Sequence, residues 1–353
     1  MEKKRILYGI ASVGAGNTSR TLAIIDKLPA DRYEIRFVAQ GRAYENLKHL
    51  FQTYKLEEVT YGSGDFGALN IIRKNLSFPY KLYKNIKRCG EILDEYKPDL
   101  VIVDSDFYCF IPAQKRKIPV ISINSSIATV EKYKQYRQSA LDCFFSFNII
   151  EKTDSWLQKK FANINICPII TKINNLNKNV QQVSLIVRDQ FKENISDEEY
   201  KYDAVVMFGG SGIGAKDLNL KDIKRKILML GQTNNLQIPE GTECIEFDPQ
   251  PIKYLSKAKV VIIQGGFNSL SEVITLRKPT ICVPINGHAE QYANAKWLEE
   301  LGLGLYSDSN NINKNLEKIL DNYDSYLSNC KNHKISSTGA EESAEIIRNF
   351  LDG

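Results

Sequence analysis

The sequence is poor in the residues that mark metal and disulfide chemistry. It has three histidines, His49, His288 and His333, far apart and at no metal-ligand spacing. Seven cysteines, at positions 89, 109, 143, 167, 244, 282 and 330, are odd in number and form no C-x-x-C pair. That excludes a disulfide framework and a thiolate zinc module. No apolar run approaches the roughly 20 residues a bilayer-spanning helix needs. The basic start Met1-Glu2-Lys3-Lys4-Arg5 leads into a short apolar stretch without a full signal-peptide core. It reads as a first β-strand, and a cytoplasmic location is expected. A net charge of +5 is too mild to imply nucleic acid.

What is present points to two α/β domains. A chain of 353 residues is too long for one ordinary core. In the first half, apolar runs at 5–10, 34–39, 56–61, 99–104 and 119–124 alternate with helical patterns at 18–28, 44–51 and 80–96. Runs such as Leu100-Val101-Ile102-Val103 show no polar alternation, so they need helices on both faces and a parallel sheet. The second half repeats the pattern with strands at 203–208, 226–230, 260–263 and 279–283. Between them lies a polar, Asn-rich stretch from about 171 to 202, broken by an apolar run at 183–187. We place the first domain at 1–170, the second at 171–338 and an amphipathic closing helix at 339–353. Two such domains hold ligands outside the carboxyl ends of their strands.

Three glycine-rich turns follow strands. Gly14-Ala15-Gly16-Asn17-Thr18-Ser19-Arg20 precedes a helix, and suits either a tight turn or a backbone that must approach a phosphate or sugar. Phe208-Gly209-Gly210-Ser211-Gly212 is a loop of exposed N–H groups or a plain linker turn. The third is Gln264-Gly265-Gly266-Phe267-Asn268-Ser269-Leu270-Ser271-Glu272, followed by Lys278-Pro279 to Pro284 and by Glu290-Gln291-Tyr292-Ala293-Asn294-Ala295. Glycines there let phosphate oxygens reach helix N-terminal N–H groups, and Asn268 and Ser269 add neutral donors.

Residues 264–295 resemble the donor domain of GT-B nucleotide-sugar glycosyltransferases. That superfamily includes the UDP-glycosyltransferases and the N-acetylglucosamine transferase that makes lipid II. The resemblance implies two Rossmann-like domains facing across a cleft, with the C-terminal helix packing back toward the first domain. It implies a nucleotide-sugar co-substrate, no cofactor, and a leaving diphosphate stabilised without a metal. Gly210, Ser211, Gln264, Gly265, Gly266, Asn268, Ser269, Glu272, Glu290 and Gln291 then hold the donor, Glu272 on the ribose and Glu290 and Gln291 on the sugar. A base in the first domain activates a glycan or lipid-linked acceptor. Relatives carry a histidine at the position of Asn17, whose amide takes no proton at neutral pH, and another at the position of Gln264. Asp104 and Asp106, at the end of a buried strand, are the substitute candidates; the alternative is a helix N-cap, evenly balanced with the base role for Asp106. Gly14, Gly16, Arg20, Asn124 and Ser125 complete the acceptor side, Arg20 either in the cleft or on its helix surface. Two other activities share the fold: a nucleotide-sugar 2-epimerase, and a binding protein that has lost its base.

Residues 73–97 interleave Lys74, Lys81, Lys84, Lys87 and Arg88 with Tyr80, Leu82, Tyr83 and Ile86. This fits an amphipathic helix with a solvated basic face, or one that touches anionic lipid at the inner membrane face.

Overall fold

The computed structural model describes residues 2–10, 16–58, 78–136, 143–193, 199–208, 218–231, 236–246, 248 and 250–353. Gly14, Gly210 and Ser211 lie outside these residues. Two fully parallel sheets carry the fold. The first has seven strands: β1 (Lys4–Ile10), β2 (Tyr33–Ala39), β3 (Thr53–Lys55), β4 (Leu100–Asp104), β5 (Val120–Ile123), β6 (Ile164–Pro168) and β7 (Val180–Val183). Their order is β3-β2-β1-β4-β5-β6-β7. The second has β8 (Tyr202–Met207), β9 (Ile227–Leu230), β10 (Glu243–Ile245), β11 (Ala258–Ile263), β12 (Thr280–Cys282) and β13 (Gly304–Tyr306), in the order β10-β9-β8-β11-β12-β13. Every residue of β4 is buried, as its unbroken apolar run requires.

In each sheet the strand order reverses once near the middle, between β1 and β4 and between β8 and β11. Such switch points open a crevice at the carboxyl ends of the strands. The third glycine-rich turn follows β11 and the described part of the first, from Gly16 onward, follows β1, both beside these crevices.

Two expectations change. The domain boundary at 170/171 cuts through the first sheet: β7 pairs with β6, from Asn165↔Val180 to Pro168↔Val183. The sheet boundary therefore falls after Val183. The third strand forms at Thr53–Lys55, ahead of the expected 56–61, where Phe37, Val38 and Ala39 of β2 pair with Thr53, Tyr54 and Lys55; residues 59–61 lie outside the described residues. The three-residue strands β10 and β13 carry too few apolar residues to stand out in the sequence, and β6, Ile164–Pro168, is a further strand beyond those expected.

The closing helix Gly339–Asp352 crosses back to the first unit. Its Ala340, Ala344 and Ile347 join the core of Ile6, Tyr8, Ile24 and Phe37. Apolar packing also fills the seam between the units. Ile127 and Ala128, from the helix Ser126–Tyr136, share one cluster with Phe267, Leu270, Ala295 and Trp297. The Trp297 indole donates to Thr171 Oγ1 at 3.0 Å, and Lys132 Nζ lies 4.8 Å from its ring centre. No helix among the described residues is long and apolar enough to cross a membrane.

The two stretches of chain that join the units are bonded side by side. Leu185 N donates to Ser336 O (3.1 Å), and Gly339 N donates to Leu185 O (3.1 Å). A Cβ on Gly339 would lie 2.1 Å from Ser184 O, a backbone atom with no room to yield. Gly339→Ala is therefore expected to lose about 1–3 kcal/mol of stability, read as a lower urea midpoint. An unchanged midpoint would show that this junction relaxes freely.

Candidate active site

Two helix N-termini face each other across the seam. One opens the helix Gly16–Ile25 after β1; the other opens Phe267–Thr275 after β11. A Cβ on Gly16 would sit 2.7 Å from Asn268 Nδ2, so glycine permits this approach. Asn268 Nδ2 donates to Asn17 Oδ1 at 3.4 Å. One turn further along, Ser19 bonds the Glu272 carboxylate, and Arg188 Nη2 lies 3.9 Å from Glu272 Oε1. Burial raises Glu272 to about 7, against the pull of Arg188 and Ser19. The positive ends of two helix dipoles thus meet in one space, which favours an anion.

The third turn divides its two glycines by role. Gly265 has φ +88°, and a Cβ there would meet Gln291 O at 3.0 Å. Its carbonyl accepts from Asn294 Nδ2 at 2.9 Å. Packing therefore demands glycine at 265. At Gly266 φ is −60°, and an added Cβ would meet nothing within 4 Å. Neither the backbone nor any described neighbour requires glycine there. Gln264 is buried behind the pair and Ser269 half-buried in the first helical turn. Gln291 Oε1 accepts from Ile285 N at 2.8 Å, so this amide shapes the 285–288 turn.

The two candidate aspartates differ sharply. Asp104 ends β4 and is fully buried. Arg20 Nε donates to its Oδ2 at 3.0 Å, Arg20 Nη2 pairs with its Oδ1, and Thr21 Oγ1 donates to Oδ2 at 3.2 Å. Arg20 also reaches Asn17 Oδ1 at 3.4 Å. Arg20 is thus neither a surface residue nor an open cleft contact, and Asp104 has both oxygens committed. This geometry suits a structural ion pair rather than a base.

Asp106 lies beyond Ser105, whose φ of 55° turns the chain back at the strand end. Its Oδ1 accepts from Tyr108 N at 3.3 Å, while Oδ2 has no partner among the described residues. That oxygen points at β1: a Cβ on Gly9 would lie 2.6 Å from it. Burial raises Asp106 to about 6, opposed by bonds from the 107–109 backbone and Cys109. A carboxylate poised near neutrality is suited to proton transfer.

The far wall joins the units again. Ser125 Oγ donates to Glu290 Oε1 at 3.3 Å, and the Phe267 amide bonds the same carboxylate. Burial raises Glu290. Asn124 bridges Ser126 N (2.7 Å) and Asp154 Oδ2 (2.8 Å). Asp154 and Arg188 were missed from the sequence. They sit in no motif and reach the site only through the packing of distant segments.

The two facing parallel-sheet units, with the cleft at their switch points, define a GT-B glycosyltransferase fold. The model of glycosyl transferase family 1 matches residues 4–323, and the chain belongs to that family. It is 25% identical, over 99% of each chain, to a UDP-N-acetylglucosamine–N-acetylmuramyl-(pentapeptide) pyrophosphoryl-undecaprenol N-acetylglucosamine transferase of Clostridium tetani. It is 24% identical to an uncharacterized glycosyltransferase of Methanosarcina mazei, over 85% of this chain and 84% of the other. In fold it is similar to Acinetobacter baumannii MurG (TM-score 0.63, 16% identity, 98% and 99% covered). A Polygonum tinctorium UDP-glucosyltransferase gives a TM-score of 0.69 at 13% identity, with both chains fully covered. The protein is a glycosyltransferase.

The two aspartates make opposite predictions. The raised Asp106 value means that ionisation opposes folding. The penalty is absent below about pH 4, where the carboxyl is protonated in both states. It is complete above about pH 6, at on the order of 3 kcal/mol. Asp106→Asn should therefore unfold at higher urea than wild type near pH 7.5, and the gap should close near pH 4. Asp104→Ala strands the Arg20 charge and should lose about 3–5 kcal/mol. Urea titrations at the two pH values check both; an Asp106→Asn protein less stable near pH 7.5 would refute the burial argument.

Proposed function

We propose that the protein transfers a sugar from a nucleoside diphosphate sugar, a UDP-sugar, to a hydroxyl of a glycan or lipid-linked acceptor in cell-envelope synthesis. The observation that carries this reading is the open space at Gly266, between two helix N-termini. A diphosphate fits there: its oxygens approach the N–H groups of Phe267 and Asn268, and both helix dipoles offset the charge that grows on the leaving group. Glu272 is one turn deeper, where a carboxylate can accept both ribose hydroxyls. Glu290 lies at the start of the next helix and faces Ser125 of the first unit across the seam, the side from which an acceptor would enter.

Asp106 is the base in this reading. Its carboxylate takes up the proton lost by the acceptor hydroxyl as the acceptor oxygen attacks the anomeric carbon and the bond to the diphosphate breaks. Asn17 bonds Arg20 and Asn268, holding the two helix ends together. The Clostridium relative is named for a UDP-N-acetylglucosamine donor and an undecaprenol-linked acceptor, which supports the donor and acceptor classes.

A lipid-linked acceptor calls for contact with the membrane. The helix Phe78–Tyr96 exposes Tyr80 and Tyr83 beside exposed Lys84, Lys87 and Arg88, a pattern suited to an anionic inner face.

Gly266→Ala isolates the donor site, since the fold itself leaves room for a methyl group. Its melting temperature without ligand should match wild type. Its affinity for UDP-N-acetylglucosamine, read by calorimetry, should fall about 10- to 100-fold, the loss of one or two charge-assisted hydrogen bonds. Equal affinity in the two proteins would rule out a diphosphate at this helix end.

A further inference from the structure

The polar stretch that opens at Thr171 does more than join the units. Together with the second crossing of the chain it walls a cavity of about 930 Å³. One wall is the first crossing, Gln182 to Ser184, and another is the second, His333 to Ser336. Leu301 and Leu303, just before β13, close the end. The cavity thus touches both units and both passes between them. None of its lining residues belongs to the candidate active site. Small-molecule sites of about 300–1,000 Å³ form preferentially where domains meet.

The floor is aliphatic. Ile169, Ile170 and Leu303 are buried, and Leu301 and Ile335 are half-buried. An apolar body laid over them releases water held against hydrocarbon. Much of the polar lining is already committed. Gln182 Nε2 donates to Ile173 O at 2.7 Å, and its Oε1 accepts from Ile173 N at 2.8 Å. Glu342, the one carboxylate among the described lining residues, accepts from Ser184 N at 2.9 Å and from Thr338 Oγ1 at 2.5 Å. His333 Nδ1 accepts from Ile335 N at 3.2 Å, which leaves Nε2 to donate to Ile274 O at 3.1 Å. The two lysines of the lining differ. Lys172 and Lys334 are exposed, and neither makes a hydrogen bond or ion pair among the described residues. Hydrocarbon below and unpaired positive charge at the rim are the complement of an amphiphilic anion.

We propose that this cavity binds a soluble amphiphilic anion, an apolar body with a carboxylate, phosphate or sulfonate head, and that the occupant braces the joint between the units. The body lies on the aliphatic floor. The head is drawn to Lys172 from the first unit and to Lys334 from the second. Because both crossings line the cavity, an occupant stiffens the joint at which the units meet. The site is regulatory: it acts on the relation of the two units and touches none of the reacting groups.

The test uses the full chain with anilinonaphthalene sulfonate as the probe and no nucleotide. A missing donor site therefore leaves the result untouched. Fluorescence titration should report one probe per chain, and the melting temperature should rise with probe concentration. Decanoate should displace the probe, whereas decylamine, the same chain with a positive head, should not. Two variants locate the site. The double variant Lys172→Glu, Lys334→Glu changes exposed side chains and should melt with wild type. It should bind the probe at least about tenfold more weakly, since like charge then faces the sulfonate. Asn332→Trp fills the cavity from an exposed position; it too should melt with wild type and should lose the bound probe. The proposal is overturned if wild type binds no probe, if decylamine displaces it as well as decanoate does, or if either variant binds as tightly as wild type.

Discussion

The cleft depends on one buried ion pair. Arg20, in the first helix, meets Asp104, at the end of β4, across the switch point of the first sheet. Both are nearly sealed from water, so the contact is strong only while both partners are present. The pair fixes the start of the first helix against the sheet. That start holds Asn17, which meets Asn268 of the second unit. The ordering of the two helix ends, and hence of the space between them, follows from this one contact.

The pair also explains why two aspartates two residues apart behave so differently. Asp104 faces a fixed cation and a hydroxyl, and its charge is fully met. Asp106, past the left-handed turn at Ser105, faces the backbone of β1 with one oxygen unmet. Only Gly9 makes room for it. The chain thus spends stability on one carboxylate within a few residues of where it secures another.

Much of this was legible in the sequence. Unbroken apolar strands ending in glycine turns specified two parallel sheets, and the run from Gln264 to Ala295 marked the family. The described residues after β1 and β11 lie at the switch points, because a turn after a central strand has nowhere else to go. What escaped was either short or non-local. β10 and β13 are three residues each and mostly lack apolar runs. β7 begins Val-Gln-Gln, which reads as linker until β6 is seen beside it. Asp104 and Asp106 could not be told apart, since the difference lies in Arg20 and Gly9, remote in sequence. Asp154 and Arg188 reach the cleft only through tertiary packing.

The closing helix has a mechanical consequence. Because it returns to the first unit, the polypeptide passes between the units twice, once after β7 and once before Gly339. The two passes are bonded to each other through Leu185, Ser336 and Gly339. A single tether would let the halves swivel freely. Two tethers joined edge to edge act like the leaf of a hinge: torsion is stiff and flexing about one axis is soft. The facing helix ends are thereby held to one register, with no search over relative orientations.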